Sequence, residues 1–279
     1  MLKYSRICWL FWLTFFSAQS LAADVKPLEV GIFPYISARA LLNMYQPVRL
    51  YLEKTLHRPV QFYTAPDFKA FIEHTQRGEY DLILTAPHFA RLAQTDAGYV
   101  PLLGYTKELR GVVVVAKNSP ISSLYDLRGK TIALPNRLAL VSITGLQLLH
   151  DNLPPDNKLQ LVTETSHSNA LLSVQRGDSD AAITEMVVLS QMPAGMRNSV
   201  RILATTVPLS QVMYLGHPRL GEKYLQQIKA ALLQFAASPS GEAFLEASGY
   251  DKLQPIPEAS LKSMDPYVKE LKRLLEQTQ

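Results

Sequence analysis

Two stretches with the same order of residue types, Arg77–Leu82 (RGEYDL) and Arg176–Ala181 (RGDSDA), decide the fold of this 279-residue chain. Each follows an apolar pattern at helical spacing and precedes a short apolar run. Each therefore reads as a helix end, a glycine stop, an acidic residue and a strand. Because the two stretches lie in different halves of the chain, they predict two similar α/β units.

The alternation of short β-rich runs with longer helical patterns extends outward from both stretches. In the first unit the predicted strands are 28–32, 60–63, 81–84 and 99–105, and the predicted helices are 38–56, 67–77 and 87–94. In the second unit the strands are 111–116, 131–134, 159–162 and 181–184, and the helices are 144–150, 168–176 and 186–191. Two more strands, 200–204 and 211–215, precede helices at 224–237, 241–247 and 259–275. This pattern predicts mostly parallel sheets flanked by helices.

The two units are not separated by a linker rich in Gly and Ser. We therefore expect two extended crossings to join them, near 110–115 and near 203–208, as in a two-strand hinge. The predicted division is a first lobe of residues 23–110 and 206–279 and a second lobe of residues 111–205.

Residues 1–22 have the pattern of a secretory signal peptide. Lys3 and Arg6 precede an apolar run from Ile7 to Phe16, and small side chains follow at Ser20 and Ala22. The alternative is an uncleaved anchor helix, which needs about 20 apolar residues, more than this run provides. The pattern predicts export, and the periplasm is the compartment that fits best.

Composition narrows the chemistry further. Removing Lys3 and Arg6 with the signal lowers the formal net charge from +4 to +2, too little to indicate nucleic-acid binding. Cys8 is the only cysteine and lies in the signal, so thiol chemistry and disulfides are excluded from the exported chain. The six histidines show no paired metal-ligand spacing. We predict no metal and no cofactor.

Several motifs of the exported chain resemble the substrate-binding proteins of phosphate, phosphite and phosphonate ABC importers. The motifs of the first unit are 31–35 (GIFPY), 45–48 (YQPV), 51–53 (YLE), 64–68 (TAPDF), 77–81 (RGEYD) and 85–87 (TAP). Those of the second unit are 121–130 (ISSLYDLRGK), 166–168 (SHS) and 176–181 (RGDSDA). The resemblance covers nearly the whole exported chain in the expected order.

This resemblance implies an α/β fold, the two-lobed type II periplasmic binding protein, whose lobes close on a small-molecule ligand. It implies capture of a phosphonate or a related small oxyanion for an ABC permease in the inner membrane, by a monomer that makes and breaks no bonds. Two alternatives stay open. One is a sensor subunit of the same fold that presents its ligand to a membrane histidine kinase, and the other is a hydrolase that uses Ser142 and His167.

In such a fold the ligand lies where strands end and helices begin, because free backbone N–H groups and helix dipoles favour oxyanions there. Candidate ligand-binding residues are therefore polar and follow strands directly or begin helices. They are Tyr35, Thr85, His88, Ser142, Thr144, His167 and Glu185.

Each candidate also has a purely structural interpretation. Tyr35 could pack at a turn, Ser142 and Thr144 fit helix N-caps, and His88 could cap a helix start. His167 could lie in a surface loop, although the resemblance favours ligand contact for both Tyr35 and His167.

Glu185 could act only as a first-turn acid, or it could accept a hydrogen bond from a protonated phosphonate or bind an ammonium group. The chain departs from the family pattern at Ala90, where an aromatic residue is usual, and at Ile143, where a hydroxyl is usual. A related but different small ligand therefore stays open. Arg110 and Arg137 could supply charge, or they could be solvent-exposed or structurally paired.

Overall fold

The computed structural model describes residues 26–277 as two α/β units, each built on one sheet with flanking helices. The predicted signal peptide, residues 1–22, lies outside the described residues. Within 26–277 every helix is too short or too polar to span a membrane.

The first sheet has six strands, and seven helices belong to the same unit. The strands are β1 (Leu28–Ile32), β2 (Val60–Tyr63), β3 (Leu82–Thr85), β4 (Val100–Tyr105), β10 (Met213–Gly216) and β11 (Leu253–Gln254), in the spatial order β11-β4-β10-β3-β1-β2. The helices are α1 (Ala38–Leu56), α2 (Phe68–Gln76), α3 (Pro87–Ala97), α8 (Glu222–Ala236), α9 (Pro239–Ser248), α10 (Glu258–Lys262) and α11 (Asp265–Glu276).

The second sheet has five strands, and four helices belong to its unit. The strands are β5 (Gly111–Ala116), β6 (Thr131–Leu134), β7 (Gln160–Thr163), β8 (Ala181–Glu185) and β9 (Val200–Thr205), in the order β7-β6-β8-β5-β9. The helices are α4 (Leu140–Asn152), α5 (His167–Arg176), α6 (Met186–Gln191) and α7 (Ala194–Ser199).

The two motifs that predicted a repeated unit fold in the same way. Gly78 and Gly177 both adopt positive φ, 66° and 81°, the conformation that glycine tolerates best at a helix end. The backbone N–H of Asp81 donates to the Glu29 carbonyl, and that of Asp180 donates to the Thr131 carbonyl. Each aspartate carboxylate then accepts the N–H of the same neighbouring-strand residue, at 3.1 and 2.9 Å. In both units the aspartate thus fixes a strand against its parallel neighbour.

Each sheet contains a strand inserted against the direction of its neighbours, directly after a crossing between the units. Strand β5 is antiparallel to both β8 and β9, and β10 is antiparallel to both β3 and β4. The crossings are residues 106–110 and 206–212, and Leu109 pairs with Leu209 between them. The strand that follows each crossing, β5 or β10, is therefore an interior strand of its sheet.

Several helix boundaries differ from the sequence prediction, and two of these differences have a clear local cause. The single helix predicted for 259–275 is interrupted between α10 and α11, because Pro266 lacks an N–H and restricts the residue before it. Helix α4 begins at Leu140 rather than Thr144. Asn136 organises this earlier start, since its side-chain oxygen accepts the Leu138 N–H and its carbonyl accepts the Ala139 N–H.

Candidate ligand-binding cleft

A small cavity lies between the two units, where helices from both sheets begin. Its free volume is about 20 Å³, enough for about one water molecule. Most of its wall consists of N-cap and first-turn residues of α2, α3, α4, α5 and α6. The lining residues are Phe33, Phe68, Ala86, His88, Phe89, Leu109, Ala139, Leu140, Val141, His167, Glu185 and Val212.

Three of these helices begin without a side-chain cap: α3 of the first unit, and α4 and the short α6 of the second. The N-caps of α3 and α4 are Ala86 and Ala139, and neither accepts a hydrogen bond from its helix through its side chain. By contrast, the Asp67 and Ser166 side chains cap α2 and α5. The N–H groups of His88 and Phe89 in α3, and of Leu140 and Val141 in α4, have no acceptor within their helices, and each helix dipole is positive at that end. The wall is therefore suited to a group that accepts hydrogen bonds.

His88 lies in the first turn of α3 and is fully buried. Its Nε2 is 2.8 Å from the carbonyl oxygen of Leu138, a residue of the opposite unit, and its ring stacks on Phe89. Because a carbonyl can only accept, Nε2 carries the hydrogen. Burial lowers the pKa of His88 to about 4, so the ring is neutral near pH 7. Its Nδ1 is buried without a partner among residues 26–277, so His88 spans the cleft instead of capping its helix.

His167 and Glu185 complete the polar part of the wall. His167 is the first residue of α5, is buried, and places Nδ1 3.1 Å from the Thr184 hydroxyl. Burial lowers its pKa to about 3. Glu185 ends β8, and its Oε1 accepts a 2.8 Å hydrogen bond from Gln211 on the second crossing. Burial raises the pKa of Glu185 to about 7. His88, His167 and Glu185 therefore surround one cavity.

Tyr35 lies beside this cavity rather than in its wall. Its side chain is buried in a tyrosine cluster, with its hydroxyl 3.4 Å from that of Tyr45. Burial raises the pKa of Tyr35 to about 12, and the charge of Glu185 adds to that rise. Tyr35 therefore lies behind the cavity wall, on the side formed by Glu185.

Three other candidates lie outside the wall. Thr85 lines a separate small void inside the first unit, and its Oγ1 has no partner among residues 26–277. Ser142 is the third residue of α4, fully buried, and its Oγ is likewise unpaired in the described chain. The Thr144 hydroxyl donates to the Leu140 carbonyl within the helix at 2.9 Å. The N-cap interpretation of Ser142 and Thr144 is wrong, because Ala139 occupies that position.

The residues considered as extra sources of charge do not reach the cavity. Arg110 forms an exposed ion pair with Glu108 at 2.7 Å. Arg137 borders an outer groove between α4 and α11. The two positions that depart from the family pattern also lie outside the wall: Ile143 borders the same groove, and Ala90 is buried within α3. None of the residues that line the cavity is Arg or Lys.

Most of the cavity wall was not predicted from the sequence. Phe33, Phe68 and Phe89 give it an aromatic side, and Leu109 and Val212 belong to the two crossings. Gln211, which holds Glu185, was also missed. The sequence did contain one indication of the aromatic side. Phe68 and Phe89 lie in the first turns of predicted helices, and first-turn residues lie at the same edge of the sheet as the polar candidates, whether they are polar or apolar.

The pair considered for a hydrolase, Ser142 and His167, does not form a nucleophile–base contact in the structure. The Ser142 hydroxyl has no partner and His167 is bonded to Thr184, so the nucleophile–base contact of a hydrolase is not formed. Residues 26–277 contain no cluster of three or more His, Cys, Asp or Glu that could hold a metal ion.

The architecture is similar to that of several solved binding proteins. The phosphonate ABC transporter binding protein of Pseudomonas aeruginosa matches with a TM-score of 0.77 at 14% identity, over 92% of this chain and 100% of that one. PhnD1 of Prochlorococcus marinus, solved with methylphosphonate, matches with a TM-score of 0.77 at 15% identity, over 89% and 99%. XAC2383 of Xanthomonas citri, solved with chloride, gives 0.71 at 20% identity, over 88% and 99%.

These likenesses establish the two-lobed fold of type II periplasmic binding proteins. The family itself is shown by a sequence model of the periplasmic substrate-binding proteins of phosphonate ABC transporters, which matches residues 30–261. Members of this family bind a small molecule in the periplasm and work with an ABC permease. The chain therefore belongs to the periplasmic substrate-binding protein family of phosphonate ABC transporters.

Proposed function

We propose that this protein captures a small phosphonate, or a closely related oxyanion, in the cleft and delivers it unchanged to an ABC importer. The observation that carries the proposal is the pair of uncapped helix starts, Ala86 and Ala139, which face one buried cavity from opposite units. A buried helix end needs acceptors for its free N–H groups. A phosphonate headgroup supplies several oxygens for them.

The absence of Arg and Lys from the wall does not oppose an anionic ligand. Helix N-termini stabilise anions through fixed N–H dipoles, each contributing roughly 0.3–1 kcal/mol at exposed sites and more where the site is buried. His167 can add an N–H from Nε2, since the Thr184 hydroxyl can serve Nδ1 as a donor. The phenyl rings of Phe33, Phe68 and Phe89 then accommodate the carbon substituent that distinguishes a phosphonate from phosphate.

Binding requires the lobes to move apart, because the cavity has room for about one water molecule and a phosphonate is several times larger. We assign the first lobe to residues 23–110 and 206–279 and the second to 111–205. The paired crossings at Leu109 and Leu209 serve as the hinge. Closure brings α3 and α4 together on the ligand.

Within this scheme we assign direct ligand contact to His88, His167 and Glu185, and a backing role to Tyr35. Thr85, Ser142 and Thr144 lie outside the cavity wall and receive no direct contact in this scheme. The cycle is capture, closure and release to the permease, without catalysis. Export through residues 1–22 and a monomeric state complete the proposal.

A thermal-shift panel of methylphosphonate, phosphite, phosphate, methanesulfonate and methylamine tests the ligand class. A ligand at 100 times its Kd should add about 2.7 kcal/mol to the free energy of unfolding. Tyrosine emission can follow binding, since Trp9 and Trp12 both lie in the predicted signal. We expect methylphosphonate to stabilise most; stabilisation by methylamine alone would contradict the proposal.

The substitution Ala139→Asp tests directly whether the uncapped start of α4 takes part in ligand binding. An N-cap aspartate would accept the free N–H groups of α4 and add a negative charge to the cavity wall. We expect this variant to lose methylphosphonate binding and to remain folded. The control is Pro257→Asp, which adds the same charge at the exposed N-cap of α10 and should leave binding unchanged. Unaltered affinity in Ala139→Asp would overturn the assignment of the cleft.

A further inference from the structure

We infer that the cleft selects phosphonates whose carbon substituent is apolar, such as alkyl and aryl phosphonates, over phosphonates that carry an amino group. This inference rests on the proposed function and names the substrate class within it. It follows from the apolar surfaces that the two units present to each other at the cavity.

The first unit contributes three phenylalanines that form one continuous aromatic surface. The centroid of the Phe68 ring lies 6.0 Å from that of Phe33 and 5.5 Å from that of Phe89. All three residues line the cavity and are almost completely buried. Because they belong to the same unit, these ring contacts do not depend on the lobes being closed. Separation of the lobes therefore keeps the aromatic surface and opens it to the cleft.

The second unit and the crossings present apolar side chains to the same cavity. Nine of the twelve residues that line it are apolar, and those outside the first sheet and its helices are Leu109, Ala139, Leu140, Val141 and Val212. When the lobes part, apolar surface of both units meets water, which costs free energy in proportion to its area. An apolar substituent that covers this surface again recovers that cost with each methylene it buries.

An ammonium group would meet one acidic side chain in this wall, that of Glu185. One oxygen of the carboxyl group is already engaged by Gln211. Burial raises the pKa of Glu185 to about 7, so its surroundings favour the neutral form. An ammonium group must give up its water to enter such a site, and contact with phenyl faces returns only part of that cost. A methyl group of the same size carries no such cost.

Two isosteric ligands test the inference: propylphosphonate and 2-aminoethylphosphonate, which differ only in a terminal methyl or ammonium group. We expect the wild-type protein, studied by calorimetry, to bind propylphosphonate at least about tenfold more tightly. From methyl- to ethyl- to propylphosphonate, each added methylene should tighten binding about threefold to fourfold. A preference for propylphosphonate below about threefold, or a preference for 2-aminoethylphosphonate, would overturn the inference and leave the proposed function standing. Binding of none of these phosphonates would overturn the proposed function as well.

Two variants of one helix identify the surface responsible. Phe68→Leu removes the central ring of the aromatic surface and should weaken phenylphosphonate binding about twofold to tenfold, the contribution of one aromatic contact. The control is Phe71→Leu, since Phe71 is also buried on α2 but lines a separate void. It should leave phenylphosphonate affinity unchanged, and equal losses in the two variants would overturn the role of the aromatic surface. The two isosteres on the wild type decide the inference even where a variant does not fold.

Discussion

Replacing Glu185 with Gln should stabilise the protein near and above neutral pH. The carboxyl group is buried, and burial raises its pKa from an ordinary value of 4.5 to about 7. At about 1.4 kcal/mol per pKa unit, a rise of that size corresponds to roughly 3 kcal/mol between the two protonation states. Glutamine retains an oxygen for the Gln211 amide but never carries the charge.

The sign of the effect follows from proton linkage. Because the folded protein holds this proton more tightly than the unfolded chain, the wild-type free energy of unfolding falls as pH rises from about 4.5 to about 7, and this contribution is constant above that. Glu185→Gln lacks this decline. The stability gained by the variant should therefore be small below pH ~4.5 and should approach roughly 3 kcal/mol above pH ~7.

Urea unfolding followed by tyrosine fluorescence, repeated at several pH values, measures this difference. The control is Glu246→Gln, at an exposed position of α9, which should change stability little at any pH. If Glu185→Gln and wild type give parallel stability profiles from acid to alkaline pH, the reasoning from burial is wrong.

Three further substitutions test the fold and the cleft. Gly31→Ala should cost about 1–3 kcal/mol in urea unfolding, since a Cβ there would lie 2.5 Å from the Tyr80 ring; Gly195→Ala, with open space around it, should be neutral or stabilising. Asp81→Asn should cost about 2 kcal/mol by the same measurement, because the buried carboxylate pairs with two arginines at 2.8 and 3.5 Å. Ile143→Ser should bind methylphosphonate, measured by calorimetry, with an affinity within about twofold of the wild type. The reason is that this side chain borders the outer groove and not the cavity.

The sequence predicted the fold well where local pattern and tertiary role coincide. The predicted bounds are those observed for strands β1, β2, β5 and β6 and for helix α1. In the strands a short apolar run is bounded by turn residues, and in the helix the apolar residues recur at helical spacing, so the local pattern already defines each element. The start of α4 was missed because it depends on a side-chain contact of Asn136, which leaves no periodic pattern. The break before α11 was signalled by Pro266, but continuous apolar spacing on both sides masked it.

The polar residues of the candidate cavity could be picked out from the sequence, whereas its apolar residues could not. His88, His167 and Glu185 follow strands or begin helices, and the structure brings them to one cavity. Ser142 and Thr144 satisfied the same rule but lie inside α4, so a one-turn error in a helix start was enough to misplace them. Leu109 and Val212 reach the wall through the crossing of two distant segments, which a single sequence does not encode locally.

The topology explains why ligand contact and hinge position should be coupled. Glu185 pairs with Gly111 in the register of β5 and β8, and the N–H of Met186, the next residue, donates to the Arg110 carbonyl, which ties the acid to the first crossing. Its bond from Gln211 ties it to the second crossing. One residue of the cavity wall is thus connected to both crossings, to the first through the main chain and to the second through its carboxyl group. In the ligand contact proposed above, a change in the hydrogen bonding of Glu185 reaches the second crossing directly through Gln211.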